Sequence, residues 1–264
     1  MGMGKLFVGV LILMTAFEAQ AQDRFEIQVY DSEVALPSEY GLELHLNHTL
    51  QGTRVGSPDR ELPTQNLTHL TLEPHIGIAS WCEVGGYFQT ALESSGQFDY
   101  AGVKLRFKAK WPRKFFNHLG LSLNLELSDV PKKFEANQWG SELRPAIDGR
   151  WGRFYVSVNP IVGLDLVGEL ARRPQFSPAL KSNVNLVSSL AVGIEYYAVL
   201  GAFSHFLPGP QQTHRLFGVL DWVTDYLDFN LGAGYGLTAA NERWLVKAIV
   251  GFHPKFETRL NSQR

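Results

Sequence analysis

The amino-acid sequence predicts an all-β protein, a closed antiparallel transmembrane β-barrel of about 12 strands. Three observations predict it: segment after segment alternates apolar and polar residues, an export signal precedes these segments, and aromatic residues gather at their ends. Period-two alternation is typical of strands with one apolar face. No comparable stripe with the 3.6-residue period of a helix runs through the chain.

The N-terminus has the pattern of a secretory signal peptide. Lys5 precedes an apolar run from Leu6 to Met14, and Ala19-Gln20-Ala21 forms a peptidase site. The run is too short for a membrane anchor, because a spanning helix needs about 20 apolar residues. We therefore expect a signal peptide at 1–21, an N-terminal segment at 22–38, a barrel at 39–253 and a polar tail at 254–264.

The composition excludes several classes of protein. Lys and Arg (24) nearly balance Asp and Glu (26), which leaves a formal net charge of −2. No sequence-wide basic field exists to hold nucleic acid. The single cysteine allows neither an intramolecular disulfide nor a zinc site of the CxxC type.

The alternating segments give twelve strands in chain order. We expect them at 39–50, 67–78, 82–92, 98–109, 117–128, 140–148, 152–166, 184–199, 201–206, 214–223, 226–237 and 244–253. Long loops alternate with short turns, and the expected turns lie near 79–81, 110–116, 149–151, 200 and 224–225. Segment 201–206 is short for a wall strand, and if it is a loop, residues 25–30 could supply the twelfth strand.

A soluble β-sandwich is the competing architecture, and strand length favours the barrel. Strands of soluble proteins average about 5 to 6 residues, whereas a tilted spanning strand needs about 9 to 11. Aromatic residues at strand ends are typical of the interfacial girdles of membrane barrels. They are Trp81, Trp111, Phe115, Phe116, Trp139, Trp151, Trp222, Tyr226 and Trp244.

Histidines and glutamates share the polar face of the first predicted hairpin. If the pairing is symmetric about the 50/66 connection, Glu43 faces Glu73 and His45 faces Thr71, with His69 diagonal to His45 and His75 further along. These side chains are a possible metal or cation site. Polar residues of a watery lumen are the simpler interpretation, so we predict no metal and no cofactor.

A basic row is the clearest functional feature of the predicted lumen. Lys104, Arg106, Lys108 and Lys110 lie two residues apart on one strand face. Like charges at this spacing repel one another unless carboxylates lie beside them. The row is therefore either paired with Glu83, Glu126 and Glu142 or selects anionic solutes.

Two patterns that resemble catalytic motifs are weak. Ser204-His205, His214 and Asp221 could supply a hydrolase triad, but no G-x-S-x-G motif is present. Gly232-Ala233-Gly234-Tyr235-Gly236 resembles a phosphate-binding loop, but it lies in an alternating strand with no helix after it. We expect its glycines to leave room for bulky neighbours in the lumen. We expect no enzyme and no catalytic residue.

Scattered segments of the chain resemble a known family. They are 25–33, 195–197, 211–214, 219–221, 230–238 and 246–251. These segments are similar to a group of Gram-negative outer-membrane barrels, the transporter-like family named after the meta-pathway of phenol degradation. The resemblance implies an outer-membrane location and a transport role, with no catalytic residue to carry over. Such barrels usually end on an aromatic residue, whereas here Phe256 is followed by a polar tail.

The sequence thus predicts a passive outer-membrane channel or transporter for a small solute. Its expected partners are outer-membrane lipid, that solute and the barrel-insertion machinery. The candidate lumen residues are Glu43, His45, Glu73, His75, Lys104, Arg106, Lys108 and Glu126. A membrane-embedded lipid hydrolase or acyltransferase and a non-conducting structural or adhesive barrel are the alternatives.

Overall fold

The computed structural model describes residues 24–56, 61–111, 118–135, 137–168, 171 and 173–252. These residues form β1 (Tyr40–Gln51), β2 (Thr68–Ala79), β3 (Cys82–Leu92), β4 (Phe98–Lys110), β5 (Leu119–Asp129), β6 (Trp139–Trp151), β7 (Phe154–Asn159), β8 (Val162–Asp165), β9 (Gln175–Phe176), β10 (Ala179–Val187), β11 (Leu190–Val199), β12 (Gly201–Ala202), β13 (His205–Phe206), β14 (Thr213–Val223), β15 (Leu227–Gly236) and β16 (Trp244–Phe252). No helix in these ranges is long and apolar enough to cross a membrane. The expected signal peptide and polar tail lie outside the described residues.

The segments form one closed antiparallel barrel of twelve wall strands. Three wall strands consist of two segments each: β7 with β8, β9 with β10, and β11 with β12. The ladder between β1 and β16, from Leu42↔Phe252 to Gln51↔Trp244, closes the ring. On the opposite side β6 pairs with both β7 and β8. The predicted fold class is therefore confirmed.

The predicted number of strands is right, but two of the predicted strands are wrong. Segment 184–199 is two strands, β10 and β11, joined by a turn at Ser188–Ser189. Segment 201–206 is not a wall strand of its own, because β12 and β13 form a small hairpin there that pairs with β9. Residues 25–30 do not form a wall strand either. The expected turn at 200 is wrong, because Leu200 lies within the wall strand that β11 and β12 form.

The connections differ at the two ends of the barrel. One end, called the loop end here, carries the connections 52–67, 93–97, 130–138, 166–174, 203–212 and 237–243. The other, called the turn end, carries the connections 80–81, 111–118, 152–153, 188–189 and 224–226. This alternation of long loops and short turns is typical of outer-membrane barrels.

The two faces of the wall differ as period two predicts. On β5, Leu123 and Leu125 are exposed on the outside, whereas Asn124 and Glu126 are buried on the inside. The lumen glycines leave room for neighbours, as expected from the sequence. A Cβ at Gly234 would lie 2.4 Å from the Phe217 ring, so a larger residue would displace that ring.

Aromatic side chains surround both ends of the barrel on the outside. Trp81, Trp111, Trp151, Trp222 and Tyr226 are exposed near the turn end, and Trp139 and Trp244 are exposed near the loop end. Such belts are typical of the two membrane–water interfaces. Phe115 and Phe116, which were predicted to join them, lie outside the described residues.

Candidate functional site in the barrel lumen

The N-terminal segment 24–38 lies inside the barrel, where we call it the plug. It is extended but belongs to no wall strand. At its start, Arg24 lies 3.6 Å from Glu61 and 3.4 Å from Glu242, both in loops of the loop end. At its other end, Ser38 donates a backbone hydrogen bond to Gly77 near the turn end. The plug therefore runs along the lumen from the loop end to the start of β1.

Two different walls contact the plug. Ile27 and Val29 pack in an apolar cluster with inward residues of β11, β14 and β16, including Tyr197, Phe217 and Leu245. Glu26 and Tyr30 point instead to the charged wall formed by β3 to β6. The alternation of residues 25–30 that resembles a strand thus reflects a lumen with one apolar and one charged side.

Side chains of the wall hold the backbone of the plug. Lys247 Nζ donates to the Ile27 carbonyl oxygen at 2.8 Å, and Ser157 Oγ donates to that of Tyr30 at 2.6 Å. The backbone amide of Tyr30 donates to Asn159 Oδ1 at 2.7 Å, and that of Ala35 donates to Glu83 Oε2 at 2.6 Å. Further contacts of this kind come from Asn47, Thr71 and Asp148. Because the wall strands use most of their own backbone groups in the barrel ladder, side chains supply these bonds to the plug.

Each residue of the basic row has a carboxylate partner. Lys104 Nζ lies 3.6 Å from Glu126, and the Arg106 guanidinium lies 3.0 Å from Glu73 and 2.9 Å from Glu83. The predicted partners Glu83 and Glu126 are therefore correct. The third predicted partner, Glu142, lies 2.7 Å from Arg144 on its own strand.

The plug supplies the partners of the last two residues of the row. Lys108 Nζ lies 3.3 Å from Asp31, and Lys110 Nζ lies 2.9 Å from Glu33. Lys108 is 4% exposed, whereas Asp31 is 50% exposed. These contacts link the row directly to the segment for which the sequence predicted no role.

A buried ion pair and a ring fix the middle of the plug. Arg144 Nη1 lies 3.2 Å from Glu26 Oε1, and both side chains are almost fully buried. Arg144 also stacks on the Tyr30 ring, 4.6 Å from its centroid, and Lys108 approaches the same ring at 5.2 Å. Burial and the nearby Glu126 raise the pKa of the Glu26 carboxyl well above its ordinary value, although Arg144 opposes this rise.

Four residues of the first hairpin meet on the inward face of β1 and β2. The predicted register is confirmed, since Glu43 pairs with Glu73 and His45 with Thr71. His45 Nε2 lies 3.0 Å from Glu73 Oε2 and 3.6 Å from Glu43 Oε2. The fourth residue, His75, lies over Gly41, where a Cβ would be 2.4 Å from its Nε2. Among the residues that the structure describes, Glu43, His45 and Glu73 form the group whose ligand atoms could hold a metal ion.

A second charged cluster on the other side of the lumen was not found from the sequence. Lys181 lies 3.2 Å from Glu195 and 2.7 Å from Asp221, and Lys247 also pairs with Glu195. All four side chains follow from the period-two pattern once β10 and β11 are separated. The predicted strand began at residue 184, so Lys181 lay outside every predicted strand, although it belongs to β10.

The residues of the possible hydrolase triad do not come together. Asp221 points inward to Lys181, whereas His214 lies on the outer face of β14, hydrogen-bonded to Tyr196 and Gln212. Ser204 and His205 lie in the β12–β13 hairpin. These contacts do not form the serine, histidine and aspartate chain that such hydrolases use.

The Glu242 carboxyl anchors the start of the plug in a pH-dependent way. Arg215 Nη2 donates to Glu242 Oε2 at 2.5 Å, and Arg24 Nε lies 3.4 Å from Glu242 Oε1. Burial would raise the pKa of Glu242, but Arg215 and Arg24 outweigh burial and lower it to about 2. A carboxyl with a lowered pKa stabilises the fold above its unfolded pKa and loses that contribution as the pH falls.

We therefore expect Glu242→Gln to destabilise the protein at neutral pH by on the order of 3 kcal/mol. The difference between wild type and variant should shrink as the pH falls from about 4.5 toward about 2, because the unfolded wild-type chain then takes up a proton on Glu242 while the folded chain keeps this carboxylate charged. Denaturant unfolding followed by tryptophan fluorescence at several pH values measures this difference. A difference that stays constant across that range would contradict the assignment.

Comparisons with solved structures find outer-membrane barrels. An outer-membrane channel of the COG4313 group from Pseudomonas putida F1 has a TM-score of 0.60 and 11% identity, covering 87% of this chain and 100% of that one. The NanC porin has a TM-score of 0.52 and 8% identity, covering 81% and 100%. The KdgM porin, solved with oligogalacturonate, has a TM-score of 0.51 and 9% identity, covering 80% and 98%. No protein-family model matches the sequence, and neither does any curated protein. This chain thus shares the fold of outer-membrane β-barrels.

Proposed function

We propose that this protein is a passive channel of the bacterial outer membrane for a small solute, and that the plug closes the lumen in the conformation described here. The observation that carries the proposal is the way in which the plug is held. Charged and polar side chains line the lumen and bind the plug through side-chain hydrogen bonds and ion pairs. Such contacts can be exchanged for water or solute without opening the wall ladder.

The outside of the barrel supports a membrane location. Leucines at 123, 125 and 127 are exposed on an outward face between two aromatic belts. Large exposed apolar surfaces are uncommon on soluble monomers. We propose outer-membrane lipid as the partner of this surface and the barrel-insertion machinery as the partner during assembly. The similar structures, described as a channel and two porins, support this assignment.

We also propose that the chain is not an enzyme. Ser204, His214 and Asp221 contact different partners and form no triad, which supports a non-enzymatic barrel over a lipid hydrolase. The resemblance to the phenol meta-pathway family stays a prediction. It is compatible with a transport role and names no solute.

Conductance across a planar lipid bilayer tests the proposed function. We expect wild type to conduct ions and the variant Lys104→Glu/Lys108→Glu to conduct more, because a carboxylate at position 108 would repel Asp31 and release the plug. The variant should also favour cations, because its lumen carries carboxylates in place of two lysines. Lys133→Glu, in a loop where Lys133 pairs with Glu93 and Asp99, is the matched control and should leave selectivity unchanged.

Both outcomes of this experiment are informative once folding is verified by outer-membrane recovery and heat-modifiable gel migration. An unchanged anion-to-cation ratio in a folded, conducting variant would remove the basic row from the function. Absence of conductance in wild type and variant alike would favour the non-conducting structural barrel.

A further inference from the structure

We propose that Glu43, His45 and Glu73 form a binding site for a divalent cation of the zinc class, with Gln28 of the plug as the fourth ligand. The site lies in the lumen, between β1, β2 and the plug. It does not depend on conduction, so the proposal stands or falls separately from the channel function.

The spacing of the three wall ligands fits a small ion. One ligand atom from each residue lies within 4.8 Å of the other two. The two distances from His45 Nε2 to the carboxylates, 3.0 and 3.6 Å, bracket the separation of about 3.3 Å between neighbouring ligands of a tetrahedral zinc ion. Small side-chain adjustments would therefore bring all three atoms to bonding distance.

The barrel ladder holds these residues in place before any ion binds. Glu43 and Glu73 are directly paired, and His45 is the next inward residue of β1. β1 is paired on both of its edges, to β2 and to β16. His45 and Glu73 are almost fully buried, so their side chains have little freedom.

The charge around His45 also favours a cation. Glu43, Glu73 and Glu83 carry three negative charges, and the Arg106 guanidinium between Glu73 and Glu83 carries one positive charge. His45 Nε2 faces two carboxylates at once, whereas a divalent ion would bind all three groups and balance the charge.

Gln28 of the plug supplies the independent observation. Its Nε2 donates to Glu43 Oε2 at 3.2 Å, while its Oε1 is buried without a hydrogen-bond partner among the described residues. Rotation of the amide by 180° exchanges the two atoms and brings Oε1 to the position of Nε2, 3.2 Å from Glu43 Oε2, which is close to the separation of neighbouring ligands on a zinc ion. An ion bound there would tie the plug to β1 and β2.

The neighbouring groups complete the coordination pattern. Arg106 binds Oε1 of Glu73, the oxygen that does not face His45. Ligating carboxylates in metal sites are commonly held by such an outer contact. Imidazole with carboxylate oxygens suits zinc and related transition metals better than calcium, which prefers oxygen ligands alone.

Titration of the purified, chelator-treated full chain with zinc chloride, followed by calorimetry, tests the proposal. We expect one saturable site per chain in wild type and its loss in His45→Gln. His48→Gln is the matched control, because His48 lies on the same strand but bonds Thr68 instead, and it should bind as wild type does. Gln28→Ala should keep one site with weaker affinity.

Several results would overturn the site. Absence of saturable binding in wild type would do so, as would equal affinity in wild type and His45→Gln. If His45→Gln does not show heat-modifiable migration, Glu43→Gln takes its place, since Glu43 is less buried and its loss should also abolish binding. Unchanged affinity in Gln28→Ala would remove the plug from the site.

Discussion

Replacement of Leu123 by arginine is expected to destabilise the protein in lipid vesicles by about 2 to 4 kcal/mol. Leu123 lies near the middle of β5, and its side chain is 45% exposed on the outside of the barrel. In the proposed membrane location this position is close to the midplane of the bilayer, where no water or counter-charge meets an arginine. Denaturant unfolding of the vesicle-embedded protein measures the free-energy change.

Leu123→Met is the matched control, because it keeps an apolar side chain of similar volume at the same position. It should cost less than about 1.5 kcal/mol. If Leu123→Arg and Leu123→Met have the same free energy of unfolding, this face of the barrel does not contact lipid. The same pair measured in a short-chain detergent should differ less, because arginine can reach water there.

The orientation of side chains and the first register were predictable because both follow from local rules. Period two decides which face of β5 is polar, and Glu126 and Leu125 obey it. The pairing of Glu43 with Glu73 follows once the hairpin is centred on its loop. A one-residue slip would turn every leucine of β1 and β2 to the lumen, so the hydrophobic pattern strongly favours the observed register.

Strand boundaries in the second half were not predictable from the same rules. The turn at Ser188–Ser189 carries none of the Asn-Gly or Gly signals that usually mark a two-residue hairpin. Pro178 lies between β9 and β10 and interrupts the strand pattern of residues 175–183, because proline cannot donate a ladder hydrogen bond. The two errors compensate, so the correct strand number came from one merged and one spurious strand.

The plug was not predictable because its contacts join residues that are far apart in sequence. Its alternating residues resemble a wall strand, and period two alone cannot distinguish a strand from an extended segment between an apolar and a charged wall. Asn159 and Lys247, which bind its backbone, are more than 120 residues away in the chain. Only the closed ring brings them to the plug.

Removal of the two plug carboxylates at the turn end is expected to change ion selectivity most. In Asp31→Asn/Glu33→Gln, Lys108 and Lys110 lose the partners at 3.3 and 2.9 Å, while Arg106 keeps its wall glutamates. Alternate residues of a strand are about 6 to 7 Å apart, within the Debye length of about 8 Å at physiological salt. The two lysines would then act as one positive patch.

We therefore expect this double variant to conduct more than wild type and to shift the reversal potential in a potassium chloride gradient toward anions. The increase in conductance reflects a plug with fewer bonds, and the shift reflects the uncovered lysines. Glu93→Gln, which removes a partner of Lys133 in a loop, is the matched control and should change neither property.

A quadruple variant separates the two effects. Adding Lys108→Gln and Lys110→Gln to the double variant removes the positive patch but does not restore the bonds of the plug. Its conductance should stay high while its selectivity returns to that of wild type. If instead the double variant conducts as wild type does, Asp31 and Glu33 do not hold the plug. Opening of the lumen must then require the other contacts of the plug to break, foremost the hydrogen bond from Lys247 to the Ile27 carbonyl and the ion pair of Arg144 with Glu26.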